Sequence, residues 1–250
     1  MRKQDFRKYL YVAVRAAKKA GEYLFARATR PQIVHMDLVH DLKLQADKRS
    51  EAILIKHLQK YSAFPILSEE CGSVGDTEEN ICWIIDPLDG TINYFRRIPF
   101  SCVSIGLWHG GKVILGVVYD FCRKEMFSGI IGQGAWLNGS KIKVSGMRKK
   151  QGAILATGFP VKTDLSGKGI ESFARDVRLY KKLRFIGAAA LSLAYVAAGK
   201  FDAYAERDIM FWDIAGGIAL VEAAGGKVIM KKASRINSYH ISACNGNFKM

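Results

Sequence analysis

The chain has 250 residues, 49% of them hydrophobic, which is enough for a sizeable core and excludes a small disulfide-stapled domain. No run reads as a transmembrane span, the charged start Met1-Arg2-Lys3-Gln4-Asp5-Phe6-Arg7-Lys8 is no apolar signal region, and five scattered cysteines lack any Cys-x-x-Cys pair, so a reduced cytoplasmic protein is expected. The net charge of +15 suits anionic partners, either phosphorylated small molecules or nucleic acid, but the basic residues are dispersed and read as a solvated surface.

Residues 5–28 read as an amphipathic helix, with Phe6, Leu10, Val14, Ala17 and Leu24 near one face and Pro31 marking its end. A second helix is expected over 47–60, started by Asp47 and carrying Ile53, Leu54 and Leu58. Strands are expected at 81–86, 101–109, 112–120 and 124–130, with His109-Gly110-Gly111 turning between two of them. Residues 132–139 read as a short strand and turn. A strand over 152–158 opens the second part of the chain, and helices are expected over 167–181, 188–198 and 212–224. Strands grouped first and helix–strand alternation later suggest an α+β half, 1–147, joined to an α/β half, 148–250. The small residues between Gly187 and Gly199 suit tight helix packing. His35, His40, His57, His109 and His240 show no ligand spacing and read as surface or turn residues.

The chemistry concentrates in Trp83-Ile84-Ile85-Asp86-Pro87-Leu88-Asp89-Gly90-Thr91-Ile92-Asn93-Tyr94. An apolar strand there runs into a turn holding two aspartates three apart. Pro87 stiffens the turn, and Gly90 lets backbone approach a ligand closely. A helix starting near Thr91 would aim free N–H groups at the same spot and favour an anion. Carboxylates repel a phosphate unless cations sit between them, so metal plus phosphate is the reading. Two more segments add acids at apolar ends: Ile66-Leu67-Ser68-Glu69-Glu70 and Phe211-Trp212-Asp213-Ile214-Ala215-Gly216-Gly217. Each has a plain alternative: a helix cap for Asp213, a solvated turn for Glu69 and Glu70, an ordinary proline turn for Asp86 and Asp89. Together they offer only hard oxygen donors, which suit magnesium far better than zinc.

These segments resemble the inositol monophosphatase family, within the magnesium-dependent, lithium-sensitive phosphatases. The likeness extends to the segment from Gly187 to Gly199, to Glu222-Ala223-Ala224-Gly225-Gly226, and to Thr157-Gly158-Phe159-Pro160, which looks like the bacterial and archaeal members. The resemblance implies a layered α-β-α-β-α sandwich of the sugar phosphatase type with the site between the halves, and usually a homodimer. It implies that Glu69, Asp86, the Leu88 carbonyl, Asp89 and Asp213 hold magnesium, with Glu70 beside them, for two or three ions in all. Thr91 and Asp47, with Glu69, would activate the attacking water. Asp89, Gly90, Thr91, Ala189, Glu206 and Asp213 would face the substrate, with Glu206 reaching its hydroxyls. The substrate implied is a sugar or polyol phosphate monoester such as inositol 1-phosphate. Fructose 1,6-bisphosphate, histidinol phosphate and 3'-phosphoadenosine 5'-phosphate are the alternatives; Ile92-Asn93 after the Asp-Gly-Thr argues against the last. A regulatory, RNA-associated protein that keeps the fold is the reading from another class. Two departures stand out. Met36 lies roughly where the family carries a lysine, and Leu44 replaces a hydroxyl before Asp47, which leaves the third ion open. Relatives also usually continue into a final helix beyond Ala243-Cys244-Asn245-Gly246-Asn247.

Overall fold

In the computed structural model, the described residues are 3–38, 41–76, 80–158, 167, 170, 171, 173, 174 and 178–250. Helix α1 (Lys3–Arg27) buries Val12, Ala13, Ala16, Ala17, Ala20 and Leu24 along one stripe, with Phe6, Leu10 and Val14 beside it. That stripe is the one the 3.6-residue period predicts. A short antiparallel hairpin follows, β1 (Val34–Leu38) with β2 (Asp41–Leu44). It was not expected from the sequence, since neither strand carries a clean alternation. Helix α2 (Gln45–Tyr61) starts two residues before Asp47. Asp47 therefore lies within the first turn, and its Oδ2 accepts the Leu44 N–H at 2.6 Å.

Eight strands then form one sheet: β3 (Ile66–Ser68), β4 (Gly72–Val74), β5 (Ile81–Asp89), β6 (Cys102–His109), β7 (Lys112–Asp120), β8 (Glu125–Ile130), β9 (Gly134–Leu137) and β10 (Ser140–Ile142), in the order β10-β9-β8-β7-β6-β5-β3-β4. Among the described residues of this sheet, only β3 and β5 pair in parallel. The one-turn helix α3 (Thr91–Phe95) follows β5 directly. The second sheet has five strands: β11 (Ile154–Thr157), β12 (Lys182–Arg184), β13 (Ala203–Met210), β14 (Lys227–Lys232) and β15 (Ser238–Cys244), in the order β12-β11-β13-β15-β14. Helices α4 (Ala189–Ala197) and α5 (Phe211–Ala223) lie between the sheets, while α1 and α2 cover the far face of the larger one. These are four layers of the α-β-α-β-α sandwich. Of the helix expected over 167–181, residues 168, 169, 172 and 175–177 fall outside the described residues, as do Phe159 and Pro160; 167, 170, 171, 173 and 174 are helical, but 178–181 form a turn and bend leading into the next strand. Among the described residues no helix is long and apolar enough to cross a membrane.

One close approach positions the site. α5 crosses β6 and β7 nearly backbone to backbone: a Cβ on Gly116 would stand 2.0 Å from the Gly216 carbonyl oxygen. A real Cβ cannot be accommodated there, so glycine at 116 sets how deeply α5, and with it Asp213, sits against the sheet.

Candidate metal centre

Strand register explains how separate segments deliver their acids to one point. β3 and β5 run parallel with Ser68 opposite Ile85, so the next residues, Glu69 and Asp86, emerge side by side. The β5–β6 register shifts between Asp86 and Asp89, where Pro87 cannot donate to the ladder. The strand bends there, and the Leu88 N–H turns back to Asp86 Oδ1 at 2.9 Å. From the opposite side α5 brings Asp213 in its first turn. One carboxylate oxygen from each of Glu69, Asp86 and Asp213 lies within 4.8 Å of the others. Burial and the neighbouring acids push all three carboxyls well above the ordinary range. A buried like-charge cluster of this kind is costly unless it keeps protons or holds cations. Its donors are oxygen only, with no imidazole or thiolate, and fit a hard divalent ion such as magnesium.

Asp89 is held differently. Its two oxygens accept the Ala189 N–H at 3.0 Å and the Leu191 N–H at 3.3 Å, and Cys102 Sγ lies 3.3 Å away. It thus satisfies the start of α4, whose preceding residue, Ala188, has no capping side chain. Asp89 also lines the cavity that contains Glu69, Asp86 and Asp213. Ala189 lines this cavity too, but its amide is engaged by Asp89. Glu70, its side chain buried, pairs with Lys43, whose Nζ lies 3.0 Å from its Oε1. Lys43 comes from β2 and stands directly opposite Met36 on β1. Met36 and Lys43 therefore leave the hairpin on the same face.

Thr91 stands between two acceptors: its Oγ1 lies 3.2 Å from Asp47 Oδ1 and 3.0 Å from the Leu88 carbonyl oxygen. Burial, then backbone and hydroxyl contacts that partly offset it, leave the Asp47 carboxyl pushed up to about 7. Gly90 is left-handed (φ 85°), and a Cβ on it would lie 2.6 Å from the Phe100 carbonyl oxygen. The expected glycine thus meets both a backbone and a packing need. Helix α3 does start at Thr91, though it is only five residues long.

Glu206 faces the same cavity of about 290 Å³, together with Thr157, Gly158 and Ser192. Tyr204 donates its hydroxyl to Glu206 Oε2 at 2.6 Å, and burial pushes the Glu206 carboxyl up to about 7. Glu206 is thus held in the cavity wall and is not a solvated surface acid.

Sequence reasoning missed the residues that hold these loops. Ser50 donates to the Pro87 carbonyl at 2.7 Å, and Glu51 accepts from Ser68 Oγ and from the Cys71 N–H. One buried face of α2 thereby ties down both acidic turns. Asn93 donates to the Phe100 carbonyl at 2.9 Å and the Ile186 carbonyl at 2.7 Å, joining α3 to the approach to α4. The available signal was polar residues on the inward face of a helix, Asp47, Ser50 and Glu51 beside Leu54.

The profile of the inositol monophosphatase family matches residues 5–245. The chain belongs to the inositol monophosphatase family. Nus factor SuhB of Escherichia coli (strain K12) is 40% identical over 223 residues, which are 88% of this chain and 84% of that protein. The inositol monophosphatase from Anabaena (Nostoc) sp. PCC 7120 superposes with a TM-score of 0.85 at 36% identity, covering 97% of this chain and 92% of that one. Thermotoga maritima IMPase gives a TM-score of 0.82 at 30% identity, with 96% and 93% covered. Similar proteins thus include one named inositol monophosphatase and one named Nus factor SuhB.

Proposed function

We propose that this family member is a magnesium-dependent phosphatase acting on a sugar or polyol phosphate monoester. The observation that carries the reading is the convergence of Glu69, Asp86 and Asp213 in a cavity that also holds Thr91 and Glu206. Glu69, Asp86, the Leu88 carbonyl, Asp89 and Asp213 would hold the ions. When bound, magnesium supplies Lewis-acid activation of water and neutralises charge on the phosphate.

The chain's own groups do the orienting. Asp47 is fixed by the Leu44 N–H, so its Oδ1 is left to receive the Thr91 hydroxyl proton. A threonine has one proton to give. When Thr91 points that proton at Asp47 and not at the Leu88 carbonyl, its oxygen would accept a hydrogen bond from the attacking water; as the water attacks, its proton would pass to Thr91 while the Thr91 proton passes to Asp47. Backbone amides at Gly90 and Thr91 would receive the phosphate. Glu206, oriented by Tyr204, would accept hydrogen bonds from substrate hydroxyls. The residue set demands no covalent phosphoenzyme.

A phosphate-release assay over inositol 1-phosphate, fructose 1,6-bisphosphate, histidinol phosphate and 3'-phosphoadenosine 5'-phosphate tests the reading, with magnesium, with chelator and with lithium. Turnover of a polyol or sugar phosphate that disappears with chelator and falls with lithium is expected. Chelator-insensitive turnover would overturn the two-ion mechanism, and preference for the 3'-phosphonucleotide would overturn the substrate class. A second reading, an RNA-associated regulator that keeps the fold, draws on the +15 charge and on the likeness to Nus factor SuhB. A salt-dependent gel shift with RNA tests it independently.

A further inference from the structure

The turn assigned to the phosphate rests on the segment that enters β6. Asp89 stands opposite Cys102 in the β5–β6 register, which brings Gly90 alongside Phe100 and Ser101. Ser101 Oγ donates to the Gly90 carbonyl at 3.0 Å, and Asn93 donates to the Phe100 carbonyl at 2.9 Å. The same Phe100 oxygen is the atom that a Cβ on Gly90 would strike. Whatever fixes residues 99–101 therefore fixes the turn. Arg123 fixes them from behind. It lies just beyond β7, whose last residue, Asp120, has a fully buried side chain. Asp120 accepts the Arg123 N–H at 2.9 Å and Arg123 Nη1 at 3.0 Å, and the Tyr195 hydroxyl of α4 lies 3.5 Å from the same carboxylate. Arg123 Nη1 also donates to the Pro99 carbonyl, and the guanidinium carbon lies 4.6 Å from the centroid of the Phe100 ring. A planar guanidinium can serve a carboxylate, a carbonyl and a ring face at once, which an ammonium cannot. An ion pair that served stability alone would need only Asp120. This one extends to both residues that precede Ser101.

We propose that Arg123, held by Asp120, is a positioning residue for the phosphate: by clamping Pro99 and Phe100 it sets where the Gly90 and Thr91 amides point. The inference rests on the phosphatase reading above. It predicts a separation of phosphate from metal, because the clamp acts on residues 99 and 100, whereas Glu69, Asp86 and Asp213 come from the ends of β3 and β5 and from α5.

The test measures binding of inorganic phosphate to the magnesium-loaded full chain by isothermal titration calorimetry. Manganese affinity is followed beside it by the free-ion signal in electron paramagnetic resonance, folding by circular dichroism and mass by light scattering. Arg123→Ala is expected to weaken phosphate about tenfold, within the roughly hundredfold that a misplacement of one ångström can cost, with manganese affinity and mass unchanged. Arg123→Lys keeps a cation for Asp120 but not the reach to both Pro99 and Phe100, and should lose most of the same affinity. Asp120→Asn combined with Arg123→Met leaves no buried charge unpaired, which covers the case that Arg123→Ala does not fold, and should also weaken phosphate about tenfold. Unchanged phosphate affinity in a folded variant, full affinity in Arg123→Lys, an equal loss of manganese, or a change of mass would each overturn the inference and leave the phosphatase reading standing. No phosphate binding by magnesium-loaded wild type would overturn that reading, and the inference with it.

Discussion

At the residue scale, the acids are not equivalent, and their variants separate. Asp89 both faces the cavity and satisfies two amides of α4. Asp89→Asn therefore costs more than a ligand; losing an equivalent cap costs about 0.5–2 kcal/mol. Asp213→Asn is the cleaner probe. It should weaken magnesium binding by more than the roughly 10–100-fold typical of outer partners of metal ligands, and it should raise the melting temperature of the chelated protein by removing one buried like charge. Thermal melts with and without magnesium check both halves, and a lowered melting temperature in chelator would count against a repelling cluster. Glu206→Gln tests the substrate contact. A hydrogen bond to a charged acceptor is worth roughly 1.5–3 kcal/mol, so hydrolysis of a polyol phosphate should fall about tenfold or more relative to a simple aryl phosphate. Equal losses on both substrates would reduce Glu206, with Tyr204, to scaffolding.

At the element scale, the site depends on how closely α5 and α3 are seated. Gly116→Ala would drive a methyl group into the Gly216 carbonyl. Overpacking of this kind costs roughly 1–3 kcal/mol or more, and here it would also lift Asp213 away from Asp86 and Glu69. Magnesium affinity should fall along with stability, whereas a variant that loses stability alone would show that α5 has slack at its first turn. Asn93→Ala removes the donor shared by the Phe100 and Ile186 carbonyls, at about 1–3 kcal/mol for the acceptors left unsatisfied; its effect should appear in KM, because α3 and the approach to α4 border the cavity. These elements also show what could be read in advance. α1, β6, β7, β8 and α5 were legible because their apolar period is uninterrupted. The β1–β2 hairpin, β13, β14 and β15 were not. β14, Lys-Val-Ile-Met-Lys-Lys, is an edge strand with four of its six residues exposed, and β13 carries Glu206-Arg207-Asp208 through a bulge. Glu69, Asp86, Asp89 and Asp213 were legible by residue type and spacing, and Glu206 only through the family resemblance. The Lys43–Glu70 pair was not, because it depends on the register of a hairpin that has no local signature.

At the scale of the whole molecule, two sheets and the helices between them spend stability on a knot of buried acids. The carboxyls of Glu69, Asp86, Asp89 and Asp213 are all raised by burial, and the Asp47 carboxyl reaches about 7. An acid whose folded value exceeds its unfolded value, near 4, binds more protons in the native state across the interval between the two. Its contribution to stability is therefore fully present below about pH 4 and is lost as pH rises through the folded value, about 7 for Asp47. General acid denaturation obscures the lower end of that window, so the informative range runs upward from about pH 5. The chelated protein should lose melting temperature steadily between there and mildly alkaline pH. Magnesium binds the ionised acids of the native state and not those of the unfolded chain, so its stabilising effect should grow over the same interval. The two melting curves, with ion and with chelator, should diverge as pH rises, and Asp213→Asn should bring them closer together. Parallel curves would mean that the cluster neither holds protons without metal nor exchanges them for it, and the assignment of these acids as a metal centre would fail.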